Sequence, residues 1–184
     1  MTKKLMAFGL IATVLLMFSL NAFSQEQEFK YVGAKKCKMC HSSKKSGEAY
    51  PIWEKSKHAQ AYATLASDEA KTIGKKMGID DPQKSDKCLK CHVTGFGKPA
   101  KIFEASFSIE EGVECEACHG PGSEYKSMKI MKEIYAGKVD GAKYGLVKPT
   151  KEVCVGCHNE ESPTFKEFDF AAAAKVIAHP IPKE

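Results

Sequence analysis

Several common features are missing from this sequence, and each absence removes a class of answer. Arginine does not occur, so every one of the 28 basic side chains is a lysine. Beyond residue 24 no stretch is long and apolar enough to cross a bilayer as a helix. No Ser/His/Asp set suited to nucleophilic catalysis stands out, and histidine is scarce, with six in 184 residues. No repeat of fixed period runs along the chain, which excludes a solenoid. Nor is any of the eight cysteines left over once a single pattern has been marked.

That pattern is Cys-x-x-Cys-His, written four times: Cys37-Lys38-Met39-Cys40-His41, Cys88-Leu89-Lys90-Cys91-His92, Cys115-Glu116-Ala117-Cys118-His119 and Cys154-Val155-Gly156-Cys157-His158. The intervals between the copies are uneven. Two thiols about one helical turn apart can add to the two vinyl groups of one porphyrin, and the histidine that follows is then placed under the iron as proximal ligand. Zinc would draw on two cysteine pairs per metal and has no use for a histidine at a constant offset. Four disulfides would not call for that histidine either. The sequence therefore predicts four covalent c-type haems, attached at Cys37, Cys40, Cys88, Cys91, Cys115, Cys118, Cys154 and Cys157. His41, His92, His119 and His158 are the predicted proximal ligands.

Residues 1–24 read as a secretory signal peptide. Lys3 and Lys4 give a charged start, Leu5 to Leu20 is almost wholly apolar, and Ala22-Phe23-Ser24 places small residues where a signal peptidase cuts. An uncleaved anchor is the alternative; no cysteine at the cut invites lipid attachment. Residues 25–184 would then form one tetrahaem cytochrome c domain, exported to the periplasm, with no stable membrane span after cleavage. An extracellular destination stays open. The fold class expected is mainly α: short helices and loops wrapped around four haems, with little or no sheet.

The formal charge of +5 includes Lys3 and Lys4, and the eight propionates of four haems would offset what remains. The basic balance therefore does not point to nucleic acid. Evenly spread lysines are mostly a solvated surface that can also steer weak, salt-sensitive docking to acidic redox partners.

Along the chain, His58, Ala61, Tyr62 and Leu65 recur at helical spacing and predict one amphipathic helix from Pro51. Ser67 or Asp68 should cap a second helix ended by Gly78, and Asp81-Pro82 should open a helix that runs into the second motif. Phe103, Ala105, Phe107 and Ile109 alternate with polar residues like a short strand. Gly120-Pro121-Gly122 predicts a sharp turn, Ser123 the cap of a helix through Ala136, Thr150 the cap of the fourth motif's helix, and Asp169 the cap of a last helix stopped by His179-Pro180.

Six-coordinate haems need a ligand on each face of the iron. With four histidines committed, only His58 and His179 remain as distal ligands, so at most two haems can be bis-histidine within one chain. Met39 lies inside a motif and cannot reach over its own haem, and Met128 and Met131 read as packing residues. At least one five-coordinate or weakly ligated haem follows.

Tyr31-Val32-Gly33 before the first motif, Trp53, Ser56-Lys57-His58-Ala59, Cys115 through Ser123, Cys157-His158-Asn159 with Ser162-Pro163, and Ile177-Ala178-His179-Pro180 together resemble the cytochrome c-554 family of tetrahaem cytochromes. The resemblance implies a mostly helical fold with haems in stacked pairs, periplasmic electron transfer, and His58 as distal ligand to a haem other than the first. Members that serve ammonia oxidation receive electrons from hydroxylamine oxidation and hold one high-spin haem. Relatives often place a histidine after the Gly-Pro-Gly turn, where this chain has Glu124-Tyr125. The function expected is electron carriage between periplasmic or membrane redox partners. The alternatives are reduction of NO or a related nitrogen oxide at an open haem, and a subunit of a polymeric cytochrome wire.

Overall fold

Short helices account for most of the regular structure, and several of them end at or beside a histidine or a glycine. The computed structural model describes residues 28–181; the expected signal peptide lies outside the described residues. In order, the α-helices are α1 (Ala34–His41), α2 (Ala49–Glu54), α3 (Ala61–Thr64), α4 (Asp68–Lys76), α5 (Asp86–His92), α6 (Cys115–His119), α7 (Met128–Tyr135), α8 (Lys151–Val155) and α9 (Phe170–Ile177). Single 3-10 turns lie between some of them. Among the described residues the β pairing is one isolated bridge, Tyr31 to Phe103, and no helix is long and apolar enough to cross a membrane. The mainly α class expected from the sequence is what the fold shows.

Caps follow the sequence at several ends. Ser67 accepts from the Ala70 N–H, Asp81 from Gln83 and Asp169 from Ala172, each satisfying a donor that the first helical turn leaves open. Gly78 leaves α4 with φ at +69°, a conformation that suits a residue without Cβ.

Four expectations need correcting. The stripe from Pro51 to Leu65 is not one helix: α2 stops at Glu54 and α3 starts at Ala61. His58 sits in the turn between them, where its carbonyl accepts from Val113 N (3.0 Å) and Ala61 N (3.1 Å). The helix expected from Pro82 is likewise two pieces, Pro82–Lys84 and α5, joined at Ser85 in extended conformation. Phe103 to Ile109 forms no strand. Its rings pack on themselves and on Tyr31, Phe103 to Phe107 at 4.6 Å and Tyr31 to Phe103 at 5.4 Å. Last, the cap before α7 is Ser127, not Ser123. Ser123 instead exchanges two hydrogen bonds with the backbone of Lys30.

The side-chain core is thin. Val32, Ala34, Tyr50, Leu65, Ile79, Val93, Ile102 and Tyr125 are the buried apolar residues, while Met39, Met128, Val176 and Ile181 stand largely in solvent. At about 25 cal/mol per Å² of apolar area removed from water, so few side chains cannot offset the ordering of such a chain.

Candidate haem-binding site

The four attachment segments are presented in nearly the same way. α1, α5 and α6 each end on the motif histidine, so the two cysteines lie on successive turns of one helix with the imidazole at its C-terminus. The fourth differs: α8 stops at Val155, and Cys157 and His158 follow in the next turn. None of the eight cysteines is paired in a disulfide. Among the described residues no three His, Cys, Asp or Glu side chains gather to hold a bare metal ion.

The motifs meet in a definite order. The Cys37 and Cys115 thiols are neighbours: the Cys115 thiol lowers Cys37, and the Cys37 thiol, with burial, raises Cys115. Cys118 is pushed up by burial and by Cys154 beside it. Cys157 is pushed up to about 11 by burial and by the Cys91 thiol beside it. Thus the first motif adjoins the third, the third the fourth, and the fourth the second. An ion pair between Lys90 and Glu161 joins the last two on the surface; being solvated, it adds little stability.

Both spare histidines face a proximal one. The His58 and His158 rings lie 6.0 Å apart, centroid to centroid, and the His119 and His179 rings 6.1 Å. A metal–imidazole bond is about 2 Å, so two imidazoles trans across one metal put their centroids about 6 Å apart. Phe168 also stacks on His158, at 4.7 Å and 12°. The ring spacing at these two pairs suits two imidazoles on one haem iron.

Protonation is set for metal binding. Nδ1 of His92 lies 2.7 Å from the Ala61 carbonyl oxygen. A carbonyl can only accept, so Nδ1 carries the proton and Nε2 offers its lone pair to iron. Burial, then the neighbouring His179, holds His119 and His41 below the ordinary histidine value. His58 is lowered by burial, then by His158. Neutral imidazole is the ligand form.

Tyr125, shortly after the Gly-Pro-Gly turn, is buried, and its hydroxyl donates to the Gly120 carbonyl at 2.7 Å. Burial raises its pKa, so the phenol keeps its proton. That hydroxyl is committed to the backbone.

Sequence reasoning missed a set of carboxylates beside the third motif. Glu116 and Glu114 are each 1% exposed, and Glu111 accepts from the Ala34 N–H at 2.8 Å. The acidic run Glu110, Glu111, Glu114 and Glu116 was the signal available, but nothing in it marks two of its members as interior.

A helical scaffold with four Cys-x-x-Cys-His segments and imidazoles paired across the width of an iron defines a multihaem c-type cytochrome acting in electron transfer. Residues 36–120 match the family described as cytochrome c554 and c-prime. The chain is 31% identical over 178 residues to cytochrome c-554 of Nitrosomonas europaea, covering 89% of this chain and 72% of that protein. The solved structure of reduced cytochrome c554 from the same organism matches with a TM-score of 0.50 at 27% identity, over 81% of this chain and 78% of that one. The chain belongs to the cytochrome c-554 family and binds four c-type haems.

Proposed function

We propose that this chain is an exported electron carrier whose four haems are arranged in the spatial order first, third, fourth, second, passing electrons between periplasmic or membrane redox partners. The adjacency of Cys37 with Cys115, Cys118 with Cys154 and Cys157 with Cys91 carries this reading. Bound haem supplies reversible one-electron exchange at iron. The chain's part is to tether and orient. Cys37, Cys40, Cys88, Cys91, Cys115, Cys118, Cys154 and Cys157 would form the thioethers, and His41, His92, His119 and His158 the proximal bonds. His179 would be the distal ligand to the third iron and His58 to the fourth, in keeping with the ring distances of 6.1 and 6.0 Å. Residues 1–24 would direct export, leaving 25–184 as the tetrahaem domain.

The experiment is mass spectrometry and electron paramagnetic resonance (EPR) of protein exported from a host competent in cytochrome maturation. Four added porphyrin masses with two bis-histidine signals support the proposal; bare thiols, zinc, or four bis-histidine signals from a monomer would overturn it.

A second reading has one observation in its favour. Among the described residues His92 has no histidine ring stacked or facing it at such a distance, and Tyr125, placed after the Gly-Pro-Gly turn, spends its hydroxyl on Gly120. An iron with an open face can bind a small molecule such as NO, and turnover of a nitrogen oxide by the reduced protein would make the chain a reductase as well as a carrier.

A further inference from the structure

The residues between the two cysteines of such a motif carry no part of the attachment chemistry, and here several face solvent: Met39 is 77% exposed and the Lys90 side chain 37%. Glu116 is the opposite, a charged residue in that position at 1% exposure. Its carboxylate accepts from Val32 N at 3.0 and 2.9 Å, from Gly33 N at 2.7 Å and from Gly122 N at 2.5 Å. Val32 and Gly33 lead into α1, and Gly122 leaves α6. One side chain thus ties the entrance of the first attachment helix to the exit of the third, although the two are remote in sequence.

The helix α1 has no cap of its own. Gly33 stands at its N-cap with φ at +84° and no side chain, and any Cβ there would lie 2.9 Å from the Ser106 carbonyl oxygen. Its leading N–H groups are satisfied instead by Glu116 and, at Ala34, by Glu111. Glu116 is itself anchored, because its own N–H donates to Glu114 Oε2 at 2.9 Å. Charge-assisted bonds to backbone N–H groups are stronger and more directional than neutral ones. Cys37, one turn past Gly33, lies near Cys115, the neighbour of Glu116.

We infer that Glu116 is a positioning residue for electron transfer: it fixes the separation and tilt of the haems tethered at the first and third motifs. The inference rests on the haem assignment proposed above, and it goes further by making one carboxylate responsible for the geometry of one haem pair.

The test uses haem-loaded full-length protein carrying Glu116→Gln or Glu116→Asp, with Gly122→Ala as a milder variant. A Cβ at residue 122 would sit 3.1 Å from Glu116 Oε1 and press on the same carboxylate. Haems are counted first by mass, and potentials are then assigned to individual haems by proton NMR and their magnetic interaction read by EPR. The expected result is a shift in the potentials of the first and third haems and a changed interaction between them. The second and fourth should stay as in wild type, and Gly122→Ala should move the same two by less. Four haems with no potential or spectrum altered in the Glu116 variants would overturn the inference, and so would an equal shift in all four. Should the Glu116 variants fail to load haem, Gly122→Ala decides alone by the same pattern. A wild-type chain without four haems would instead sink the underlying assignment.

Discussion

His119, at the end of α6, and His179, just beyond α9, hold their rings 6.1 Å apart although they belong to distant parts of the chain. The spacing is that of two imidazoles on opposite faces of one iron, and His58 with His158 repeats it at 6.0 Å. His179→Ala should convert one low-spin signal of the oxidised protein to high-spin, and His58→Ala should convert a different one. EPR of the two single variants and the double variant checks this. Loss of the same signal in both would contradict the pairing.

Trp53→Phe should weaken the His58 site indirectly. The Trp53 indole N–H donates to the Val113 carbonyl at 2.9 Å, while Val113 N–H holds the His58 carbonyl at 3.0 Å. Removing the indole bond should cost about 1 kcal/mol of stability and broaden or partly convert the fourth haem's low-spin signal. Thermal unfolding and EPR on the same sample measure both effects.

Tyr125→Phe separates a ligand from a strut. Because the hydroxyl donates to the Gly120 carbonyl, the variant should lose about 1–2 kcal/mol with the count of high-spin and low-spin irons unchanged. A new high-spin signal would mean that the phenol reaches an iron.

Glu114 sets a pH dependence. Burial, then the charge of Glu116, raises its carboxyl well above the ordinary 4.5, and its Oε1 is buried without a hydrogen-bond partner among the described residues. The folded chain therefore keeps a proton that the unfolded chain releases. The stability from this group is present in full below the ordinary carboxylate value and falls as pH rises toward the folded pKa, by about 1.4 kcal/mol per pH unit. Glu114→Gln should flatten the stability profile above that ordinary value. Chemical unfolding from mildly acidic to mildly alkaline pH gives the comparison, and parallel profiles would contradict it.

Gly120→Ala tests the close approach behind the third motif. Gly120 follows His119 at φ +75°, and a Cβ there would run into the carbonyl oxygen of Gly145. A loss of roughly several kcal/mol is expected from strain and clash together. It should show as reduced yield of four-haem protein, and wild-type yield and melting would refute it.

The sequence displayed the chemistry of this protein more fully than its packing. Cys-x-x-Cys-His spacing is covalent chemistry written in consecutive residues, so the four motifs could be read directly. Caps at Ser67, Asp81 and Asp169 were legible for the same reason, since a cap acts within the first helical turn. The single helix expected through His58 failed because the competing interaction, Val113 with the His58 carbonyl, comes from a distant segment of the chain. The strand-like run Phe103 to Ile109 failed because alternation describes a face but supplies no partner, and its rings found Tyr31 instead. The role of Glu116 was hidden because the donors it gathers come from separate segments.

The scarcity of interior side chains also bears on how the protein comes into being. A polypeptide whose centre is completed by haem has few apolar side chains of its own to collapse onto before those groups are attached. It also makes each tether a checkpoint. A molecule that leaves the attachment machinery one porphyrin short should close incompletely and fall first to proteases, so that the surviving pool is enriched in fully loaded carriers.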